Sequence, residues 1–105
     1  MGLLDLLFGN SKADETVKEF MAKGAVVIDV RTPAEFKGGH VNGAKNYPLQ
    51  SIQSKAAELK KMSKPLILCC ASGNRSGQAT RILQAQGIEC VNGGGWAHVK
   101  SVLSK

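Results

Sequence analysis

The residues best suited to chemistry lie in one stretch, Cys70-Ala71-Ser72-Gly73-Asn74-Arg75-Ser76. A cysteine closes an apolar run, small residues follow, and Arg75 and Ser76 are predicted to open a helix. Small side chains and Gly73 let successive backbone N–H groups curl inward as an anion-binding nest. The helix start adds its positive dipole end and unpaired N–H groups. A thiol held there should have a lowered pKa, because those groups stabilise the thiolate. The stretch therefore predicts an activated Cys70 inside an anion cradle. Cys69 and Cys90 read as core thiols, with Cys69 expected on the opposite side of a sheet from Cys70.

The elements that must position this loop follow from the hydrophobic period. Val17, Phe20 and Met21 fall at i, i+3, i+4, which predicts a helix from about Ala13 to Lys23, ended by Gly24. Ala25 to Val30 is a β-branched run too short for a helix and suited to a strand buried on both faces. Thr32, Pro33 and Glu35 fit the N-cap, first and third positions of a capping box, with Gly38 and Gly39 closing that short helix. A brief extended segment is expected near Ala44 to Tyr47, stopped by Pro48. Ile52, Ala56 and Leu59 mark the next helix, and Leu66 to Cys70 the next strand. Ala79, Ile82 and Leu83 mark a helix ended by Gly87; Ile88 to Val91 is expected as the last strand. Trp96, Val99, Val102 and Leu103 line a final helix.

Strand and helix alternate with short connections, which predicts an α/β fold: a single domain with a central, mostly parallel sheet of four to five strands and helices on both faces. Residues 1–12 are read as an N-terminal tail and 13–105 as the domain. In such sheets ligands bind beyond the carboxyl ends of the strands. Asp29-Val30-Arg31, Cys70 onward, and Gly93-Gly94-Gly95 are expected to converge there.

Composition narrows the function classes. A chain of 105 residues with 43% hydrophobic residues supports one core. Three cysteines, two of them adjacent, make a poor disulfide framework and fit a reducing, cytoplasmic setting. No C-x-x-C pair exists and His40 and His98 stand far apart, so no metal site is expected. Lys and Arg number 14 against 8 Asp and Glu, a net charge of +6. No helix concentrates Arg with aromatics, so the charge is read as a solvated surface that draws small anions or acidic partners rather than nucleic acid. Met1 to Phe8 lacks a basic leader and is shorter than the ~20 apolar residues a spanning helix needs. Stable membrane insertion is not expected, although Leu3, Leu4, Leu7 and Phe8 offer a weak membrane or partner contact. The chain is expected to be monomeric.

Four segments in order resemble the rhodanese homology domain. Val27-Ile28-Asp29-Val30-Arg31-Thr32-Pro33-Ala34-Glu35-Phe36 resembles the family's first motif, and Gly39-His40-Val41-Asn42-Gly43-Ala44-Lys45-Asn46-Tyr47-Pro48 the extended segment after it. Cys70 to Ser76 is similar to the active loop, and Val91-Asn92-Gly93-Gly94 with Trp96 to the closing motif. Trp96 follows the glycines closely, and the family's short first strand lacks a clear counterpart among Met1 to Lys12. The resemblance implies sulfur transfer: Cys70 attacks the outer sulfur of a small anionic donor such as thiosulfate, forms a persulfide cradled by Ala71, Ser72, Gly73, Asn74, Arg75 and Ser76, and passes the sulfur to cyanide or a cellular thiol. It implies no organic cofactor.

Other readings use the same residues. Counted from Cys69, five residues precede Arg75, the spacing of cysteine-dependent phosphatases. The residue three after Cys69 is Ser72, however, whereas the residue three after Cys70 is Gly73, as the sulfurtransferase pattern requires. A persulfide carrier or binding module serving a dedicated protein partner is a further class. Arg75 is read either as a loop tie to Asp29 or Glu35 or as a group facing the donor. Asp29, Arg31 and Glu35 are read as structural support, and His40 as a loop hydrogen-bonder.

Overall fold

The structure is a computed structural model that describes residues 12–104. The expected tail contacts through Leu3, Leu4, Leu7 and Phe8, and the missing first strand, lie outside the described residues.

Helix α1 (Lys12–Ala22) carries Asp14 and Glu15 in its first turn, where carboxylates complement the positive dipole end. It leads through Gly24, at φ +88°, into β1 (Val26–Asp29). The short α2 (Pro33–Lys37) follows, then β2 (Lys45–Asn46) and a 3-10 turn that enters α3 (Ile52–Lys61). Strand β3 (Leu66–Cys70), α4 (Asn74–Ala85), β4 (Cys90–Gly95) and α5 (Trp96–Leu103) complete the order. All pairings are parallel, in the order β2-β1-β3-β4. The described residues thus show the α/β layering expected from the alternation of elements, with four strands. No helix among them is long and apolar enough to cross a membrane.

The core is two layers because β3 is buried along its whole length. Leu66, Leu68 and Cys70 pack with Ile28, Ile52, Leu59, Ala79 and Leu83 under α3 and α4. Ile67 and Cys69 pack with Val17, Val27, Val99 and Val102 under α1 and α5. The strand's two-residue period therefore sends Cys69 and Cys70 to opposite faces, as expected.

Four expectations need correction. The last strand runs from Cys90 to Gly95 rather than from Ile88 to Val91, so the glycines belong to the strand. Two of them pass too close to their neighbours for a side chain: a Cβ on Gly93 would lie 2.9 Å from both Ile67 and Val99, and one on Gly95 2.9 Å from the Ala71 carbonyl. A register shift between Leu68 and Cys69 accommodates this approach, pairing Cys69 with Gly94 and Cys70 with Gly95. The helix after the loop begins at Asn74, one residue before Arg75, because Gly73 is its N-cap. The extended segment near Ala44 to Tyr47 contracts to the two residues of β2. Met21 is 38% exposed, so the apolar anchors of α1 are Val17 and part of Phe20.

Candidate active site

The carboxyl ends of β1, β3 and β4 meet around Cys70. The Gly73 N–H donates to Cys70 Sγ at 3.0 Å, the Ser76 N–H at 3.3 Å, and the Ser76 hydroxyl lies at 3.3 Å. Gly73 reaches this geometry at φ +100°, a conformation that favours glycine. Burial opposes ionisation of Cys70. The Ser76 hydroxyl and the N–H groups of Ser76, Gly73 and Ser72 outweigh it, so the thiol pKa is lowered. Burial works unopposed at Cys90, whose thiol is pushed up to about 11. At Cys69 burial and the nearby Asp29 carboxylate push the thiol up to about 12, against a smaller effect of Arg31. Cys70 is the one thiol of the three that its surroundings acidify. It has no exposed surface, yet Ala71, Ser72 and Asn74 directly around it are exposed. The sulfur is thus held just beneath the surface.

Arg75 is tied to the neighbouring helix α2. Its guanidinium makes a bidentate pair with Glu35, Nη1 to Oε1 at 2.8 Å and Nη2 to Oε2 at 3.0 Å. Glu35 Oε1 also accepts the Thr32 N–H at 3.0 Å, and the Thr32 hydroxyl accepts the Glu35 N–H at 3.2 Å, which completes the expected capping box. The Arg75 bonds, reinforced by those from Thr32, bring the Glu35 pKa down to about 2. Of the two carboxylates considered for Arg75, Glu35 is its partner and Asp29 is not.

Asp29 instead holds Arg31. Arg31 Nε lies 3.0 Å from Oδ1 and Nη2 2.8 Å from Oδ2, both residues being buried. The same guanidinium donates to the carbonyls of Glu35 at 3.3 Å and Gly39 at 2.6 Å, and stacks 4.7 Å from the Trp96 ring. One buried cation therefore ties β1, α2, the following loop and α5 together. A Cβ on Gly39 would lie 2.9 Å from Trp96 Cη2, so the edge of the indole occupies the space that a side chain there would need. His40 Nδ1 lies 2.7 Å from the Phe36 carbonyl, and its ring stacks on Phe36. That is the loop role expected of it.

The comparisons with known proteins agree with this geometry. The sequence profile of the Rhodanese-like domain matches residues 12–101. The chain belongs to the rhodanese-like domain family. It is 42% identical over 74 residues to the Bacillus subtilis protein YqhL, itself uncharacterized, covering 69% of this chain and 58% of that protein. It is 33% identical over 74 residues to the thiosulfate sulfurtransferase GlpE of Ectopseudomonas mendocina, covering 70% of this chain and 67% of the relative. The chain spans 58% of the length of YqhL and 43% of that of the Synechocystis protein slr1261. Among solved structures, a rhodanese with anions from E. coli superposes with TM-score 0.63 at 33% identity, covering 70% of this chain and 88% of that one. The reduced CoADR-RHD of Bacillus anthracis gives TM-score 0.71 at 29% identity, covering 87% of this chain and 16% of that one.

Within this rhodanese-like domain, sequence reasoning missed two asparagines. Asn46 Nδ2 donates to the carbonyls of Asp29 and Arg31 at 3.0 and 2.9 Å, fastening the end of β1 to the edge strand. Asn92 joins Ser76, Gly73 and Gly94. The signal available was a polar amide between Val91 and the glycines, in a segment otherwise suited to a buried strand. The stacking of Trp96 on Arg31 also escaped the sequence reading, because the two are 65 positions apart in chain numbering.

Proposed function

We propose that the chain is a sulfurtransferase that moves the sulfane sulfur of a small anionic donor, such as thiosulfate, to a thiophilic acceptor through a persulfide on Cys70. The observation that carries this reading is the convergence of the Gly73 and Ser76 N–H groups and the Ser76 hydroxyl on one acidified sulfur. Family membership and the GlpE relatives support the same class of reaction.

In the first step the Cys70 thiolate attacks the outer sulfur of the donor. A new S–S bond forms, the donor's S–S bond breaks, and sulfite departs with its electron pair. The negative charge of the persulfide resides on its terminal sulfur, within reach of the loop's N–H groups. In the second step an acceptor thiolate or cyanide attacks that terminal sulfur, and the electron pair of the broken bond returns to Cys70. No oxidant or reductant beyond donor and acceptor is needed. The donor must reach a sulfur with no exposed surface in the resting loop. The small side chains of Ala71 and Ser72 and the absence of one at Gly73 keep the cover over that sulfur thin.

Cys69 does not suit the phosphatase register: its thiol is pushed up to about 12 and it packs on the opposite sheet face from the cradle. The three free cysteines support a reducing, cytoplasmic setting for this chemistry. Initial rates at varied thiosulfate and cyanide test the proposal. Parallel double-reciprocal lines, with no release of phosphate from an aryl phosphate, are expected. Intersecting lines, or phosphate release in place of thiocyanate formation, would overturn it. Turnover seen only with a protein acceptor would identify a persulfide carrier.

A further inference from the structure

The Ser76 hydroxyl has one proton and two acceptors in reach. Its Oγ lies 2.7 Å from Asn92 Oδ1 and 3.3 Å from Cys70 Sγ, so donation to one withdraws it from the other. The Asn92 amide cannot turn to relieve this choice. Its Nδ2 donates to the Gly73 carbonyl at 3.0 Å, and its Oδ1 accepts the Gly94 N–H at 3.0 Å. A flipped amide would set N–H against N–H and oxygen against oxygen. The rest of the cradle does not hang on this amide, since the Gly73 carbonyl also accepts the Gly77 N–H at 2.9 Å, the bond that opens α4.

We propose that Asn92 is a positioning residue whose Oδ1 accepts the Ser76 hydroxyl's hydrogen bond while Cys70 carries sulfur and releases the hydroxyl to donate to Sγ as the thiolate returns. The proposal rests on the persulfide reading of Cys70. In the persulfide the charge lies on the outer sulfur, Sγ is a neutral divalent atom, and the hydroxyl bonds to Asn92. When an acceptor removes the outer sulfur, an electron pair returns to Sγ and the hydroxyl turns to it. Asn92 Oδ1 keeps the Gly94 N–H, so no acceptor is stranded. No proton is gained or lost in the exchange. The sulfur that must accept charge as the S–S bond breaks thus finds a donor already at its side.

The charged groups near Sγ are paired with one another rather than with the sulfur. Arg75 of α4 is held by Glu35 of α2, and Asp29 and Arg31 pair at the end of β1. Cys69 precedes Cys70 on β3, and β4 contributes Cys90 at its opposite end.

Thiolate absorbance against pH on the resting protein, with Cys70→Ser as baseline, tests the proposal. Asn92→Ala removes the competing acceptor and should lower the Cys70 midpoint by roughly half a unit to one unit. Asn92→Asp supplies a stronger acceptor and a negative charge and should raise it. Both variants lose the bond to the Gly73 carbonyl, so a purely loop-anchoring Asn92 moves both midpoints upward. In a Ser76→Ala background, Asn92→Ala should no longer lower the midpoint. An unchanged or raised midpoint in folded Asn92→Ala, or an equal fall without the Ser76 hydroxyl, would overturn the proposal. A wild-type protein that takes up no sulfur from thiosulfate would instead overturn the persulfide reading, and the loaded state assigned to Asn92 with it.

Discussion

Gly73→Val probes the cradle at its shortest bond to the sulfur. The native φ of +100° disfavours any L side chain, and a Cβ there would stand 3.3 Å from the Gly94 Cα. Holding a β-branched residue in this conformation costs on the order of 1–3 kcal/mol. The exposed loop relieves that strain most readily by letting residue 73 rotate, which turns its N–H away from Sγ, now 3.0 Å distant. A hydrogen bond to a charged group contributes about 1.5–3 kcal/mol. At about 1.4 kcal/mol per pKa unit, its loss should raise the Cys70 thiol pKa by roughly one to two units. Loss of one aligned donor to the persulfide should slow thiosulfate turnover about a hundredfold. Iodoacetamide alkylation rate against pH reads the first effect, because burial pushes the Cys90 and Cys69 thiols up to about 11 and about 12, away from Cys70. A Gly73→Val protein that is folded by circular dichroism, yet keeps the wild-type alkylation profile and turnover, would refute the argument that these N–H groups activate Cys70.

Asp29→Ala leaves the buried Arg31 guanidinium without its carboxylate and should cost about 3–5 kcal/mol in urea unfolding; a loss below about 1 kcal/mol would show that the pair does not hold the end of β1. Glu35 has its pKa lowered to about 2, chiefly by the Arg75 pair, so its contribution to stability is fully present above the ordinary carboxylate range near 4.5 and disappears as pH falls towards 2. Thermal unfolding between those limits should therefore fall less steeply in Glu35→Gln than in wild type, and identical slopes would contradict the assignment.

Most of the fold was legible because its elements announce themselves locally. Leu66 to Cys70 is a strand in the sequence and in the structure, and the Thr32–Glu35 capping box appears as read. The cradle was legible for the same reason: Gly73 lies within three residues of the sulfur that its N–H serves. What the sequence concealed depends on approach between distant segments. The glycines after Cys90 look like a loop by composition, yet they pair with β3 as a strand, and at Gly93 and Gly95 the neighbouring Ile67, Val99 and Ala71 carbonyl leave no room for a side chain. Arg75 had two plausible carboxylates, and only the packing of α2 against the loop selects Glu35. The role of Asn92 required knowing that the pairing of β4 with β3 sets its amide beside Gly73 and Ser76 at the start of α4.

The most direct test of the central claim is the intact mass of the protein after thiosulfate treatment. A single sulfur, an increase of about 32 Da that dithiothreitol removes, is expected on the wild-type chain and on Cys69→Ser and Cys90→Ser, and none on Cys70→Ser. An adduct that survives in Cys70→Ser, or disappears in folded Cys69→Ser, would contradict the assignment of the sulfur to Cys70.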